Sequence, residues 1–354
     1  MKKGILVFKS GQTFEGLSFG SEGSIAGEIV FSTGMVGYPE AFTDPSYEGQ
    51  ILVDTYPIVG SYGVPEKILW ESDRMHISGL IVSNYIDTPS HYQSAQTLGS
   101  WLKDQKVPAL QIKDTRLLTQ YLRDNGSQLG KIVIQDTQNV DFYDPNKENL
   151  VARVSPRTLL REGESLSSKL KTVLMIDCGA KRNMQRCLLK RGVKVITAPW
   201  DFDPFIKTNS LKFDGLIISN GPGDPKMADK TIATIKKALE NKTPTLGVCL
   251  GNQLLCLAAG GDTFKMKFGH RGQNQPSVLE KSAHCYITTQ NHGFAVGDIP
   301  KGFKPWFVNA NDGTNEGIIH EKYPFMSTQF HPEANPGPVD TEWVFDFFLN
   351  RIKK

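Results

Sequence analysis

The sequence predicts an α/β protein of two domains, a mixed α/β domain followed by a domain with a largely parallel sheet flanked by helices. With 354 residues, the chain is too long for one ordinary hydrophobic core and suits two. Hydrophobic residues make up 39% and charged residues 22%, proportions typical of globular proteins. Near residue 170 short β-type runs give way to alternating strand and helix patterns, which indicate a parallel sheet in the second half.

The first domain is predicted to span residues 1–154. Its β-type runs are short and are broken by Gly and Pro, at residues 5–8, 28–31 and 51–55. Two helical patterns interrupt these runs, at residues 94–106 and 115–124. Residues 155–169 are rich in Ser, Glu, Arg and Lys and lack apolar periodicity, so they are predicted to form an exposed linker between the domains.

The second domain is predicted to span residues 170–354. Its buried strands are expected at residues 171–178, 193–198, 213–220 and 244–249. Its helices are expected at residues 181–191, 228–241 and 341–352. Strands that alternate with helices imply a parallel sheet covered on both faces. Beyond residue 263 the pattern predicts only short β-type runs and loops before the final helix.

Composition excludes several classes of protein. The 40 basic and 37 acidic residues give a net charge of +3 without a dense basic block, so nucleic-acid binding has little support. No apolar run approaches the ~18 residues of a membrane span, and the first apolar run is too short for a secretory signal. The five cysteines show no CxxC or Cys/His metal spacing, which argues against disulfides and zinc. A cytoplasmic protein without a metal is expected.

Cys249 lies where a predicted buried strand meets a predicted helix, in the segment GVCLGNQL. The G-x-C-x-G spacing matches the nucleophile elbow, in which the nucleophile occupies a strained turn and the glycines allow close backbone approach. The positive end of the helix favours the thiolate, which is the reacting form. Cys249 is therefore predicted to be a nucleophile. The alternative of a buried structural cysteine is assigned to those that lack this setting, Cys178, Cys187, Cys256 and Cys285.

A thiol nucleophile needs a base and a group that orients the base. His331 and Glu333 are two residues apart, and in extended backbone such side chains point to the same side. Glu333 is then able to hold the imidazole of His331 and stabilise its charged form. The alternative is an exposed loop histidine beside an unrelated acid. Beside a nucleophilic Cys249, we predict that His331 is the base.

Acyl transfer also needs hydrogen-bond donors for the developing oxyanion. The backbone N–H of Leu250, directly after the nucleophile, is one expected donor. A second is expected from the glycine-rich loop at residues 220–225, which follows a predicted strand at the end where ligands bind in open α/β sheets. An ordinary turn is the alternative for this loop.

Taken together, the segments SNGPGDP, GVCLGNQL and QFHPEANPGP resemble the class I (triad) glutamine amidotransferases over roughly residues 171–354. Four further segments are similar to the small, glutaminase subunit of carbamoyl-phosphate synthetase: FSTGMVGYPEAFTDPSYEGQ, DCGAKRN, MKFGHRGQNQP and QNHGFAV. With them the resemblance extends over nearly the whole chain. One position departs from the family, because Asn252 stands where a His usually follows the nucleophile by three residues.

The resemblance implies that Cys249 is the nucleophile, His331 the general base and acid, and Glu333 its orienting partner. It implies oxyanion-hole N–H groups from Gly221 and Leu250. It also implies a glutamine site made of Ser46, Gly221, Gly223, Leu250, Gln253, Asn291, Gly293 and Phe294. The thiolate would attack the side-chain amide of glutamine, ammonia would leave, and water would cleave the thioester to give glutamate.

The implied partner is a carbamoyl-phosphate synthetase large subunit, which would use the ammonia with bicarbonate, ATP and magnesium to make carbamoyl phosphate. No cofactor is expected on this chain, which contains no G-x-x-x-x-G-K-[ST] phosphate loop. Two alternatives stay open. One is a glutaminase component of another synthase, such as one for GMP or anthranilate, against which the N-terminal domain argues. The other is a catalytically impaired structural or regulatory subunit of the same complex. Arginine and pyrimidine synthesis both stay open as destinations of the product.

Overall fold

The computed structural model describes residues 2–164, 170–207 and 211–352. The chain forms two compact units. The first comprises Met1–Glu148 with Lys267–Gly272, and the second comprises Asn149–Met266 with Gln273–Lys354. This division begins the second unit earlier than the predicted linker and adds to the first unit a short segment from far along the chain.

The first unit is built on a mixed sheet that closes on itself. Its strands are β1 (Lys3–Phe8), β2 (Thr13–Ser18), β3 (Ile25–Ser32), β4 (Gln50–Asp54), β5 (Ile58–Val59), β6 (Gly79–Val82), β7 (Asn84–Tyr85), β8 (Ala109–Gln111) and β9 (Gln128–Ile134). The closed sheet has the order β1-β2-β8-β6-β4-β3-β9, and β9 pairs back onto β1. Strands β5 and β7 form a separate parallel pair.

The helices of the first unit are α1 (Tyr38–Phe42), α2 (Leu98–Asp104) and α3 (Thr115–Asn125), and its 3₁₀ turns are Pro45–Tyr47, Lys67–Leu69 and Pro145–Lys147. Alternate residues of a strand face opposite sides, so β4 serves two cores. Ile51 belongs to the core that contains Leu118 of α3, and Leu52 belongs to the core that contains Trp101 of α2. This burial on both faces explains why β4 reads as a continuous apolar run.

The second unit contains one extended sheet. Its strands are β10 (Leu160–Glu162), β11 (Thr172–Asp177), β12 (Lys194–Pro199), β13 (Gly215–Ile218), β14 (Thr245–Val248), β15 (Thr263–Leu279), β16 (Cys285–Val296), β17 (Phe303–Asn309), β18 (Asn315–His320) and β19 (Phe325–Thr328). The middle of β15, Lys267–Gly272, is the segment that the division assigns to the first unit. They follow the order β10-β12-β11-β13-β14-β19-β18-β17-β15-β16. From β12 to β19 the pairing is parallel, and both flanks of this central part are antiparallel.

Helices cover both faces of the parallel part, and they are α4 (Val151–Val154), α5 (Arg182–Lys190), α6 (Asp229–Glu240), α7 (Leu250–Ala258) and α8 (Trp343–Leu349), with a 3₁₀ turn at Pro225–Met227. Met175 of β11 packs in a core with residues of α5 and α8. Its neighbour Leu174 packs in the opposite core with residues of α6 and α7. The predicted α/β fold class, with a parallel sheet between two helical layers, is confirmed.

The structure departs from the predicted elements in two places. Strands β15 and β16 are 17 and 12 residues long, so the prediction of only short β-type runs beyond residue 263 was wrong. Their many polar residues hide the alternation that marks a half-buried strand. Within the predicted linker, β10 is fully exposed but pairs with β12 as an edge strand. Residues 165–169 of that linker lie outside the described residues.

In the part of the chain that the structure describes, no helix combines the length and the apolar character needed to cross a membrane.

Candidate active site

Cys249 occupies a strained turn between β14 and α7. Its backbone has φ 55° and ψ −102°, which is uncommon for any residue other than glycine. The two glycines of the G-x-C-x-G motif allow the turn to close. A Cβ at Gly247 would lie 2.3 Å from the carbonyl oxygen of Gly251, and one at Gly251 would lie 2.2 Å from that of Ile218. The local geometry is therefore that of a nucleophile elbow.

A hydrogen bond ties this elbow to the neighbouring strand β19. The backbone N–H of Cys249 donates to the carbonyl oxygen of Thr328 at 2.8 Å. The thiol lies 3.7 Å from the carbonyl oxygen of Asn291 in β16. Cys249 is 2% exposed, so the predicted nucleophile is shielded from bulk water.

His331 and Glu333 form a buried pair just beyond the end of β19. The Nδ1 atom of His331 lies 2.6 Å from Oε1 of Glu333. The two side chains meet in a turn, closed by a hydrogen bond from the N–H of Ala334 to the carbonyl oxygen of His331 at 3.1 Å. The predicted pairing is present, but the extended backbone expected for it is not. The N–H of His331 also donates to the carbonyl oxygen of Thr289 at 2.9 Å, which fixes the turn against β16.

The electrostatics of this pair favour a charged imidazole. Burial by itself lowers the pKa of His331, but its interactions with Glu333 and with Cys249 outweigh burial and raise the pKa above its ordinary value. Burial also opposes the charge on Glu333, yet His331 and then Lys181 lower the pKa of that carboxyl. Cys249 is thus among the groups that act on His331, so the predicted nucleophile and the predicted base interact within one buried site.

Gly221 and Leu250, the residues predicted to supply the oxyanion donors, lie close to each other. A Cβ at Gly221 would lie 2.1 Å from the carbonyl oxygen of Cys178 and 2.9 Å from Cδ2 of Leu250, so only glycine allows the loop to approach the start of α7. Asn220 holds this loop, because its side chain accepts from the N–H of Lys181 at 3.1 Å and donates to the carbonyl oxygen of Gly179 at 2.9 Å.

Most residues of the predicted glutamine site surround the elbow or lie on the adjacent segments. Gln253 is one helical turn after Cys249, and its Nε2 donates to the carbonyl oxygen of Phe294 at 2.8 Å. Asn291, Gly293 and Phe294 all lie on β16. Gly223 lies two residues after Gly221 in the glycine-rich loop and has a φ of 85°. Ser46 belongs to the first unit, in the turn Pro45–Tyr47, where its N–H donates to Asp44 Oδ1 at 2.9 Å.

Comparison with known proteins agrees with this geometry. Residues 174–351, just over half of the chain, match the family model described as glutamine amidotransferase class-I. The chain belongs to the class-I glutamine amidotransferase family. Residues 6–132 of this amidotransferase match the model for the carbamoyl-phosphate synthase small chain, CPSase domain. The resemblance recognised in the sequence is therefore confirmed in both halves.

Individual relatives resemble nearly the whole amidotransferase. Multifunctional protein URA2 of Saccharomyces cerevisiae is 46% identical over 99% of this chain, which covers 17% of that protein. The mitochondrial carbamoyl-phosphate synthase [ammonia] of Homo sapiens is also 46% identical over 99% of the chain, which covers 24% of that protein. The chain thus spans less than a quarter of the length of either relative. A solved glutamine amidotransferase from Thermotoga maritima is 17% identical, with a TM-score of 0.39, over 50% of this chain and 82% of that one.

The structure adds Lys181 to the amidotransferase site, a residue that the sequence did not single out as functional. Its Nζ lies 3.6 Å from Oε1 of Glu333 and donates to the carbonyl oxygen of Ala334. Asn183 donates from its side chain to the carbonyl oxygen of Glu333. Its position in the sequence could have identified Lys181, because it follows the carboxyl end of β11 and ligand sites in open α/β sheets form at such ends.

The departure at Asn252 also has a structural context in the amidotransferase. Its side chain is buried and points to the strand β19 and the residue after it. Asn252 Oδ1 accepts from the hydroxyl of Ser327 at 2.7 Å, and its Nδ2 donates to Oε1 of Gln329 at 3.0 Å. Asn252 therefore links α7 to the segment that leads to His331.

Proposed function

We propose that this chain hydrolyses glutamine to glutamate and ammonia through a thioester on Cys249, and that it supplies the ammonia for carbamoyl phosphate synthesis. The observation that carries the proposal is the strained elbow at Cys249 combined with the buried His331–Glu333 pair, 2.6 Å apart. Membership of the class-I glutamine amidotransferase family supports the same chemistry.

In the first step, the Cys249 thiolate attacks the side-chain amide carbon of glutamine. Negative charge develops on the amide oxygen, and the backbone N–H groups of Gly221 and Leu250 are the proposed donors to it. Gly221 and Leu250 lie close together, on a loop held by Asn220 and at the start of α7, and donors fixed in this way would need no rearrangement when charge develops.

In the second step, the tetrahedral intermediate collapses. His331, as the imidazolium, gives its proton to the leaving nitrogen, the C–N bond breaks, and ammonia departs from a γ-glutamyl thioester. Neutral His331 then takes a proton from water, which attacks the thioester carbon, and the C–S bond breaks to give glutamate and the Cys249 thiolate. Glu333 stabilises each imidazolium form that arises, which fits the raised pKa of His331.

We propose that the ammonia passes to a synthetase component that binds ATP and magnesium and makes carbamoyl phosphate. A match to the carbamoyl-phosphate synthase small-chain model in residues 6–132 supports this choice of acceptor. The relatives extend far beyond the stretch that this chain matches. The synthetase component is therefore proposed to be either a separate large subunit or a continuation of the same polypeptide.

The test compares two nitrogen sources in the complex of this chain with its synthetase component. Cys249→Ser is expected to abolish glutamine-dependent carbamoyl phosphate synthesis and to leave ammonia-dependent synthesis in place, because only ammonia generation uses the thiol. Cys285→Ser, at an exposed free cysteine, is the matched control and should retain both activities. Equal loss of both activities in Cys249→Ser would contradict the proposal.

A second measurement detects the intermediate. With glutamine or a glutamine-like alkylating analogue, mass spectrometry is expected to find the adduct on Cys249 and not on Cys285. Absence of any adduct on Cys249 with the synthetase component bound would favour the alternative of a catalytically impaired subunit.

A further inference from the structure

Three side-chain amides beside the elbow form one hydrogen-bond chain, in Asn252, Gln253 and Gln329. Gln329 Oε1 accepts from Asn252 Nδ2 at 3.0 Å and from Gln253 Nε2 at 3.2 Å. All three side chains are at least 98% buried, so their hydrogen bonds form in a setting where unpaired polar groups are costly. Such a chain has a defined direction if one end contacts a group that only accepts or only donates.

The backbone supplies that direction. A carbonyl oxygen only accepts, so the Gln253 atom facing the carbonyl oxygen of Phe294 at 2.8 Å must be the Nε2 donor. The second N–H of the same group goes to Gln329, which turns its Oε1 toward both donors. At the far end, the hydroxyl of Ser327 donates to Asn252 Oδ1 at 2.7 Å and holds that amide in the matching orientation.

Both N–H groups of Gln253 are therefore occupied, and its Oε1 is the part left for a ligand. Within residues 2–164, 170–207 and 211–352 no group donates to this oxygen. Gln253 lies four residues after Cys249, so it faces the same side of α7 about one helical pitch, roughly 5.4 Å, from the nucleophile. Gln253 Oε1 is therefore the unoccupied acceptor beside the nucleophile, and the α-ammonium of glutamine is a donor group at the end of the substrate remote from the reacting amide.

We propose that Gln329 is a positioning residue for substrate recognition, which, together with the carbonyl oxygen of Phe294, holds Gln253 so that its Oε1 accepts a hydrogen bond from the α-ammonium of the amino-acid substrate. This inference rests on the proposed glutaminase function. Reversal of the Gln253 amide would present N–H donors instead and repel the ammonium. Gln329 itself touches no reacting atom in this scheme, and it acts only through Gln253.

The experiment pairs two variants with two substrates. Gln329→Met keeps the length of the side chain but removes the acceptor, whereas Gln329→Glu retains acceptor oxygens. The substrates are L-glutamine and 4-carbamoylbutanoate, which has the same reacting amide but no α-amino group. A charge-assisted hydrogen bond of about 1.5–3 kcal/mol corresponds to roughly 10- to 100-fold in binding.

Gln329→Met is expected to raise KM for glutamine by about 10- to 100-fold, with a smaller change in kcat, and to change kcat/KM for 4-carbamoylbutanoate by less than about threefold. Gln329→Glu should recover most of the glutamine KM. Equal losses on the two substrates would mean a general scaffolding role and overturn the proposal. An unchanged KM for glutamine in Gln329→Met would overturn it as well.

Two further measurements keep the result decisive. If Gln329→Met fails to fold, Ser327→Ala breaks the chain at its far end, and it should raise KM for glutamine in the same substrate-selective way by a smaller factor. Calorimetry measures glutamine binding to Cys249→Ala and to the same variant that also carries Gln329→Met. It distinguishes failure of the proposed function from failure of the proposed role of Gln329. Tight binding without any hydrolysis by the wild-type chain would contradict the proposed function, whereas equal binding by the two variants would contradict the role of Gln329.

Discussion

Lys181 Nζ lies 3.6 Å from Glu333 Oε1, and the two side chains are 1% and 0% exposed. Burial opposes the negative charge of a carboxylate, and one histidine partner compensates for it only in part. Lys181 supplies a second positive charge and lowers the pKa of Glu333 together with His331. Lys181 and His331 thus keep Glu333 ionised at a buried position where water does not solvate the carboxylate.

Lys181→Met is expected to weaken glutaminase activity and to move the acid limb of its pH–rate profile to higher pH. Without Lys181 the pKa of Glu333 rises, so the carboxyl becomes protonated at a higher pH and no longer stabilises the imidazolium of His331. The measurement is kcat/KM for glutamine against pH. Lys190→Met, at a lysine of α5 that is 76% exposed, is the control and should leave the profile in place.

His331→Ala should lower kcat for glutamine hydrolysis by about 10²–10⁴-fold, the range for loss of a general base. The exposed His284 provides the matched control, and His284→Ala should stay close to wild type. Steady-state release of glutamate measures both. A His331→Ala chain that stays within about tenfold of wild type would exclude His331 as the base.

Gly251→Ala is expected to destabilise the second unit by about 1–3 kcal/mol or more, because the new methyl group would overpack a closed site. It would lie 2.2 Å from the carbonyl oxygen of Ile218, and backbone cannot move aside as a flexible side chain can. Gly297→Ala is the control, since the nearest atom to its Cβ is 3.5 Å away. Equilibrium unfolding in urea compares the two, and equal stability would show that the elbow tolerates a side chain.

Asp54→Asn is expected to stabilise the protein at pH 8 and to have little effect near pH 4. Burial raises the pKa of Asp54 to about 7, against about 3.9 in an unfolded chain. The native state therefore holds the proton more tightly, and this contribution is fully present below the unfolded pKa and is lost as pH rises through about 7.

The difference between wild type and Asp54→Asn isolates this contribution, on the order of 4 kcal/mol for a shift of about three pKa units. Asn keeps an acceptor for the N–H of Tyr56, which donates to Asp54 Oδ1 at 3.2 Å. Melting temperature measured between pH 4 and pH 8 is the readout. A wild-type curve parallel to that of the variant would mean that Asp54 ionises normally.

Much of the fold and of the elbow was predictable, because the relevant forces act over a few residues. Buried strands such as β11 appear as apolar runs, and helix α6 shows one apolar face. The turn at Cys249 requires small neighbours on both sides, so two glycines mark it directly. By contrast, β15 and β16 were missed in length because their burial is irregular and their polar residues leave no clear period.

The sequence by itself determined the α/β class, the position of Cys249 at a strand–helix junction and the nearness of His331 to Glu333, since each depends on residues a few positions apart. Only the tertiary structure decided which distant residues support them. Lys181 reaches the turn of Glu333 because β11 and β19 both belong to the parallel part of the sheet. Gln329 meets Gln253 because β19 runs beside β14, the strand that leads into α7. Such contacts follow from the order of strands in the sheet, which no local pattern of residues encodes.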